Sequence, residues 1–279
     1  MTSDFSAWIG KTEDSDDFVA LAPVLAAAAM LDDTATPFAV GSVLPPLWHW
    51  FYFLPKAPQS RISVDGHPQR GGFMPPIELP RRMFAGSRLH FAQPVVIGRA
   101  VHRRSEILDV SSKEGKTGKL AFVTVRHVVS QDGGVCIEEE QDIVYREPGA
   151  PVPAPAPVEL PPVPQGAWSR TITPDPVLLF RFSALTFNAH RIHYDRPYAM
   201  SVEGYPGLVV HGPLTAVMLL ELVRFGTQKR VNAFSFRGLA PLFDLAPFRL
   251  VATPTRSGVD LEAQGPDGKT TMKAQADLG

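Results

Sequence analysis

A second cysteine is missing from this 279-residue chain. Cys136 stands alone, so no internal disulfide can form, and such usage fits a reducing compartment. No histidine or basic neighbour activates its thiol in sequence, and we read it as core filling in a strand. An excess of either charge is missing too. Lys and Arg number 27 against 28 Asp and Glu, a formal net charge of −1. Bulk electrostatics therefore points to neither nucleic acid nor a membrane surface as partner. No run of about 18 apolar residues exists, so no membrane span is expected. The stretch from Met1 to Phe18 is acidic and lacks the apolar core of a secretory leader, and we expect a cytoplasmic protein. Proline is plentiful, with 28 residues. The prolines gather in one stretch and in turns beside strand-like runs, and so mark boundaries.

Glu13-Asp14-Ser15-Asp16-Asp17 precedes the apolar, alanine-rich run from Phe18 to Leu31. Acids favour a helix N-terminus and alanine favours the helix itself, with a firm start near Pro23. Leu47 to Leu54 reads as an aromatic-rich strand, placed in the core or at an interface. Residues 55–80 hold many prolines and glycines and read as a long ordered loop. It either covers a binding pocket or wraps two domains together. From Arg88 to Tyr145 strands follow one another: Arg88 to Phe91, Pro94 to Gly98, Ala100 to Val110, Leu120 to Val129 and Val135 to Tyr145. Lys113 to Gly118 and Asp132-Gly133-Gly134 are the turns, the latter a hairpin signal.

Residues 147–165 repeat proline and predict an extended, semi-rigid spacer. It divides the chain into 1–146 and 166–279. The second part runs as a polar segment, a helix, then strands over Ala233 to Phe236, Phe248 to Thr253, Val259 to Ala263 and Thr270 to Ala276. Phe91-Ala92-Gln93-Pro94 before Val95-Val96 parallels Phe236-Arg237-Gly238-Leu239-Ala240-Pro241 before Leu242-Phe243, a hint of internal duplication.

The stretch from Phe180 to Phe225 carries the chemistry. Thr186, Asn188, His190, Arg191, His193, Tyr194 and Asp195 crowd together ahead of His211-Gly212-Pro213. Pro213 suits a first helical position. Leu214, Val217, Met218, Glu221 and Leu222 follow helical spacing, Leu219, Leu220 and Val223 broaden the apolar face, and Gly226 is a stop. A face this broad predicts a buried helix. Its first N–H groups can hold a developing oxyanion.

These residues resemble the catalytic segment of the MaoC-like (R)-specific enoyl-CoA hydratases, a hot-dog family with an Asp-x-Asn-Pro-x-His signature and a His-Gly pair before its central helix. Asn188-Ala189-His190-Arg191-Ile192-His193 keeps the spacing and the final histidine. Ser183 to Asn188 followed by His190 to Asp195 is similar to a sub-branch: the mitochondrial type 2 3-hydroxyacyl-thioester dehydratases and the bacterial mesaconyl-C4-CoA and itaconyl-CoA hydratases. Asp65-Gly66-His67-Pro68, Pro75 to Met83 and Ile143-Val144-Tyr145-Arg146 match that branch as well. The resemblance implies an α+β double hot-dog, two units in one chain, each an antiparallel sheet around a central helix. Residues 1–146 would form a non-catalytic unit, with the alanine-rich run as its central helix, and 166–279 the catalytic one. A homodimer is implied too.

Hydration of an enoyl-CoA adds hydroxide at Cβ and a proton at Cα, and needs a base, a proton donor and an oxyanion site. The resemblance puts His193 in the place of the family's catalytic histidine, as base or acid, and the Gly212 N–H as oxyanion donor. Asn188 replaces the family's Asp; it can orient water but cannot take a proton at neutral pH. Thr186, His190, Arg191 and His211 are further candidates for substrate contact, His211 also as a buttress of the helix start. Asp195 either orients a histidine or caps a turn. Arg81 and Arg82 are surface charges by default, yet suited to coenzyme A phosphates or a substrate carboxylate. No metal or cofactor is expected, coenzyme A being part of the substrate. By resemblance the reaction is hydration of itaconyl-CoA or mesaconyl-C4-CoA to citramalyl-CoA, as in itaconate degradation. The alternatives are a 3-hydroxyacyl-thioester dehydratase of fatty-acid synthesis, a thioesterase, and a non-catalytic acyl-CoA-binding protein.

Overall fold

A computed structural model describes residues 5–115 and 118–279. Residues 1–4 of the acidic start and the tip of the Lys113–Gly118 turn lie outside the described residues. The first half runs β1 (Thr12–Phe18), α1 (Leu21–Met30), a 3-10 turn (Trp48–Phe51), β2 (Arg81–Phe91), β3 (Ala100–Gly115), β4 (Gly118–Gln131) and β5 (Gly134–Arg146). The second runs β6 (Trp168–Ile172), α2 (Pro176–Thr186), α3 (Arg196–Ser201), α4 (Gly212–Gly226), then β7 (Val231–Gly238), β8 (Phe248–Pro254), β9 (Gly258–Gln264) and β10 (Thr270–Leu278).

All ten strands form one antiparallel sheet in the order β1-β3-β4-β5-β2-β7-β10-β9-β8-β6. The order is symmetric about the β2–β7 seam, where Ser87 faces Phe236 and Leu89 faces Phe234. The halves match in their loops as well. Val43 bridges to Val96 and Val209 to Phe243. The neighbouring hydrogen bonds, Leu44 N–H to Val95 O and Val210 N–H to Leu242 O, are both 2.8 Å. Here is the duplication hinted at by the Phe91 and Phe236 segments, in an α+β double hot-dog. Residues 151–164 carry no helix or strand. They are tied to the second half by Val152 N–H to Gly204 O and Val158 N–H to Pro266 O.

In the second half, α4 lies in the concavity of the sheet. Leu214, Ala216, Leu219 and Val223 are fully buried, and its neighbours are β6, β8, β9 and β10. The corresponding place in the first half differs from the expectation. The alanine-rich run forms α1, yet α1 is the counterpart of α2 and packs on α2 and on the 48–51 turn. Ala22, Leu25, Ala26 and Ala29 face outward, so no sheet wraps this helix. The central-helix place is held by the 3-10 turn Trp48–Phe51, which follows Leu47 in the left-handed region at φ 69°. A left-handed residue cannot continue a helix, and Trp48 and Phe51 then fill the space as buried aromatics. The aromatic segment is therefore not a strand.

Three further expectations change. The acids at 13–17 do not start a helix; they lie in β1 opposite β3, where Asp14 and Asp16 meet His102 and Arg104. Pro94–Gly98 is a turn with a single bridge, and Val95 and Ile97 in it are buried. The polar segment ahead of α4 is preceded by a helix, α2 (Pro176–Thr186), where no element was expected. Asp175 caps it by accepting from Leu178 N–H at 2.7 Å, with Pro176 in the first turn.

Candidate active site

The segment after α2 is shaped by local polar bonds. Phe187 ends the helix in the left-handed region at φ 48°. Asn188 Oδ1 accepts from His190 N–H at 3.0 Å, a turn that Asn favours. The 3-10 turn Arg191–His193 follows. Asp195 caps α3 through Tyr198 N–H at 3.1 Å. It also takes both Nε and Nη2 of Arg191, at 3.0 and 2.7 Å. Arg191 lies 4.0 Å over the Tyr198 ring and donates to Val64 O. Its guanidinium is committed to holding the chain and is not a free substrate ligand, and Asp195 is a cap and not an orienter of histidine.

His193 is buried, and its Nδ1 donates to Val209 O at 2.7 Å. A carbonyl only accepts, so the proton sits on Nδ1 and the Nε2 lone pair is left bare. His211 stacks on this ring at 3.6 Å and 20°, with its Nε2 2.9 Å from Ser183 Oγ. It caps nothing by side chain; it buttresses His193 from the residue before α4. Gly212 opens α4, so its N–H is outside the helix's own hydrogen-bond ladder. His190 sits edge-on to His193 at 5.4 Å.

Two residues absent from our expected site come from the first half. Asp65 O accepts the Arg191 N–H at 2.9 Å, which pins the 55–80 loop to the His190 segment. Gly66 permits this contact: it has φ +95°, and a Cβ there would stand 1.7 Å from Ala189 O. His67 is thereby set 4.1 Å from His190, with its Nδ1 3.0 Å from Asp65 Oδ2. The half expected to be non-catalytic thus places a carboxylate–histidine pair beside the histidines. The signal in sequence was the Asp65-Gly66-His67 triplet, which carries no periodicity and gains meaning only through its contact.

Burial is the main force on the ring pKa values. Desolvation, with neighbouring histidines second, pushes His190 and His193 from the usual 6.5 to about 3, and His211 well down. His67 is lowered by burial against the pull of Asp65. Against its own desolvation, Asp65 is held at about 2 by the His67 hydrogen bond. All four histidines are neutral at pH 7 and Asp65 is ionised. Asp65, His67 and His190 offer ligand atoms within 4.8 Å of one another, close enough to converge on one cation.

The remaining candidates are spread out. Arg81 is buried and bound to Glu203, its ring neighbour Tyr205 at 5.6 Å, so it is a structural charge and not a surface one. Arg82, at the start of β2, acts on His67 and His190 as a positive charge in their surroundings. Thr186 is the last residue of α2, and its Oγ1 donates to Phe182 O at 2.8 Å, so its hydroxyl proton is spent on the helix.

Residues 47–244 match the family model described as hydroxyacyl-thioester dehydratase type 2. The chain is 62% identical to the mesaconyl-C4-CoA hydratase of Chloroflexus aurantiacus, over 100% of this chain and 99% of that one. Among solved structures it resembles a MaoC-like dehydratase with a TM-score of 0.73 at 14% identity, covering 99% of each chain. It also resembles a Mycobacterium tuberculosis protein described as having a double hotdog fold, with a TM-score of 0.58 at 14% identity over 97% of this chain and 96% of that one.

Proposed function

Because the chain belongs to the hydroxyacyl-thioester dehydratase type 2 family, we propose that it reversibly hydrates an enoyl-CoA thioester, converting mesaconyl-C4-CoA to citramalyl-CoA. The observation that carries this reading is the 62% identity over the whole chain to a hydratase of that substrate. Itaconyl-CoA is a second substrate in the proposal.

The geometry supports a route through one shuttled proton. His193 Nε2 takes a proton from water as the water oxygen bonds Cβ. The C=C electrons move toward the thioester oxygen, which gathers charge beside the Gly212 N–H and the positive end of α4. The His193 imidazolium then returns its proton to Cα. One water is added and no electrons are exchanged, so we assign no cofactor, and we give the Asp65–His67–His190 cluster to charge and proton balance and not to a metal. Asn188 spends its Oδ1 on the loop and leaves its NH2 to orient. The negative charge lost at Asn188 is replaced by ionised Asp65, which favours an imidazolium among these histidines. Arg82 is our candidate for a coenzyme A phosphate.

No described helix is long and apolar enough to cross a membrane. A cytoplasmic homodimer remains part of the proposal, the dimer being checked by light scattering of the purified protein. The decisive assay follows mass change on mesaconyl-C4-CoA, itaconyl-CoA, crotonyl-CoA and a medium-chain enoyl-CoA. Gain of one water on the dicarboxylyl thioesters supports the reading. Preference for longer chains moves it to a fatty-acyl dehydratase, released coenzyme A to a thioesterase, and no change to a binding protein.

A further inference from the structure

The concave face of the first half holds something the second half lacks. At one level of the sheet, Arg103 and Ser105 of β3, His127 of β4, Glu139 and Gln141 of β5 and Ser87 of β2 form a polar band under the 48–51 turn. A cavity of about 170 Å³ opens there, lined among others by His49, Phe53, Arg103, His127, Glu139 and Thr186. Thr186, two residues before Asn188, is among its lining residues.

The two opposite charges in this cavity do not pair directly. Glu139 is fully enclosed and receives His49 Nε2, Trp50 Nε1, Ser87 Oγ and Gln141 Nε2. Those donors saturate its oxygens and, against burial, hold it ionised at about 2. His127 is neutral, driven by burial to about 4, with Nδ1 bound to Ser105 Oγ. Arg103 is the opposite case. Its guanidinium lies 4.8 Å over the Phe53 ring, and its buried Nε has no hydrogen-bond partner. It forms no ion pair among the described residues; Glu13, Glu139 and Asp17 act on it as charges without direct pairing. The buried His49 Nδ1 has no partner either. A partly buried guanidinium with no direct ion pair and an unpaired Nε has a donor to offer, and a carboxylate is the group that matches it.

We propose that Arg103 anchors the free carboxylate of a dicarboxylyl-CoA substrate in this cavity, and so selects substrates with an acid at the acyl end. The inference rests on the hydratase reading above. At about 170 Å³ the space suits a carboxylate and a methyl group, and is too small for a long fatty chain. A guanidinium matches a carboxylate in two hydrogen bonds, which fixes orientation as well as affinity.

The test uses the full-length protein with mesaconyl-C4-CoA, the same thioester methylated on its carboxylate, and crotonyl-CoA. Arg103→Met is expected to lower the ratio of kcat/KM for mesaconyl-C4-CoA over crotonyl-CoA by ~100-fold, mostly through KM, with partial recovery in Arg103→Lys. The wild type is expected to prefer the free acid over its methyl ester by a similar factor, a comparison independent of whether the variants fold. An unchanged ratio in folded Arg103→Met, or equal turnover of acid and ester, overturns the anchor and leaves the hydratase reading standing. A wild type that hydrates crotonyl-CoA and not mesaconyl-C4-CoA overturns the substrate reading and the anchor with it.

Discussion

The two halves of the sheet are copies in topology and opposites in content. In the second, the 15-residue helix α4 fills the concavity, and the strands facing it are lined with Leu250, Ala252, Leu261 and Ala263. In the first, a single 3-10 turn stands in the same place, and the strands beneath carry Arg103, His127 and Glu139. One half spends its interior on packing and gains a rigid helix N-terminus with His193 and His211 beside it. The other gives up the helix and gains a polar cavity, and its 55–80 loop crosses to the partner half with Asp65 and His67. The two copies thus differ in what they offer: one a packed helix with histidines at its start, the other a polar cavity and a loop that reaches those histidines.

The largest test of that division is His193→Ala. Turnover of mesaconyl-C4-CoA is expected to fall at least ~100-fold with the fold retained. Near-normal turnover in a folded variant would remove His193 as the base. Gly66→Ala comes next. The added methyl meets Ala189 O and the positive φ disfavours it, so the loop must lift from the site. We expect a loss of roughly tenfold or more in kcat with a lowered melting temperature. An unaltered kcat would mean that the first half contributes no part of the catalytic segment. Asp65→Asn keeps the shape and removes only the charge, and the expected loss is about tenfold in kcat.

The histidines also divide the halves by pH. His190 and His193 in the second half have folded pKa values of about 3 against the usual 6.5, and His127 in the first about 4. The unfolded chain binds protons that the native one refuses, so stability falls as pH drops below about 6.5 and continues to fall toward 3. Asp65, depressed to about 2, adds its loss only below about 4. Thermal melts at pH 8, 6 and 4 check the sign. His127→Gln should flatten the profile less than His190→Gln, and the reverse order would shift the acid-sensitive interior to the first half.

What could be read in the sequence follows the same line. α4 was legible because the Gly-Pro start, the broad apolar face and the terminal Gly226 agree with its burial. Strands β7 to β10 show their apolar alternation, and the His193 loop was found by its motif. The Leu47 turn was not legible, since a run of aromatics carries no sign of the one left-handed residue that ends the strand pattern. The acids of β1 were misplaced because their partners, His102 and Arg104, lie far along the chain. The missing strength of the Asp65–His67 pair has the same cause: long-range contact leaves no local period. For α2, the start signal Asp175-Pro176 is present in the sequence but was passed over for the polar residues that follow the helix.

The smallest test concerns helix starts, where the copies differ in the cap residue. α2 has Asp175 as a working cap, whereas its counterpart α1 begins after Ala20, with no side-chain bond. Asp175→Ala should cost about 1 kcal/mol, the usual worth of such a cap, and Ala20→Ser should return a part of that to the other copy. Chemical denaturation measures both. If the Asp175 variant is neutral, the pairing of α1 with α2 holds the second helix regardless of its cap. The two copies would then share their helix layer as one packed unit, and only their concave faces would be separately specialised.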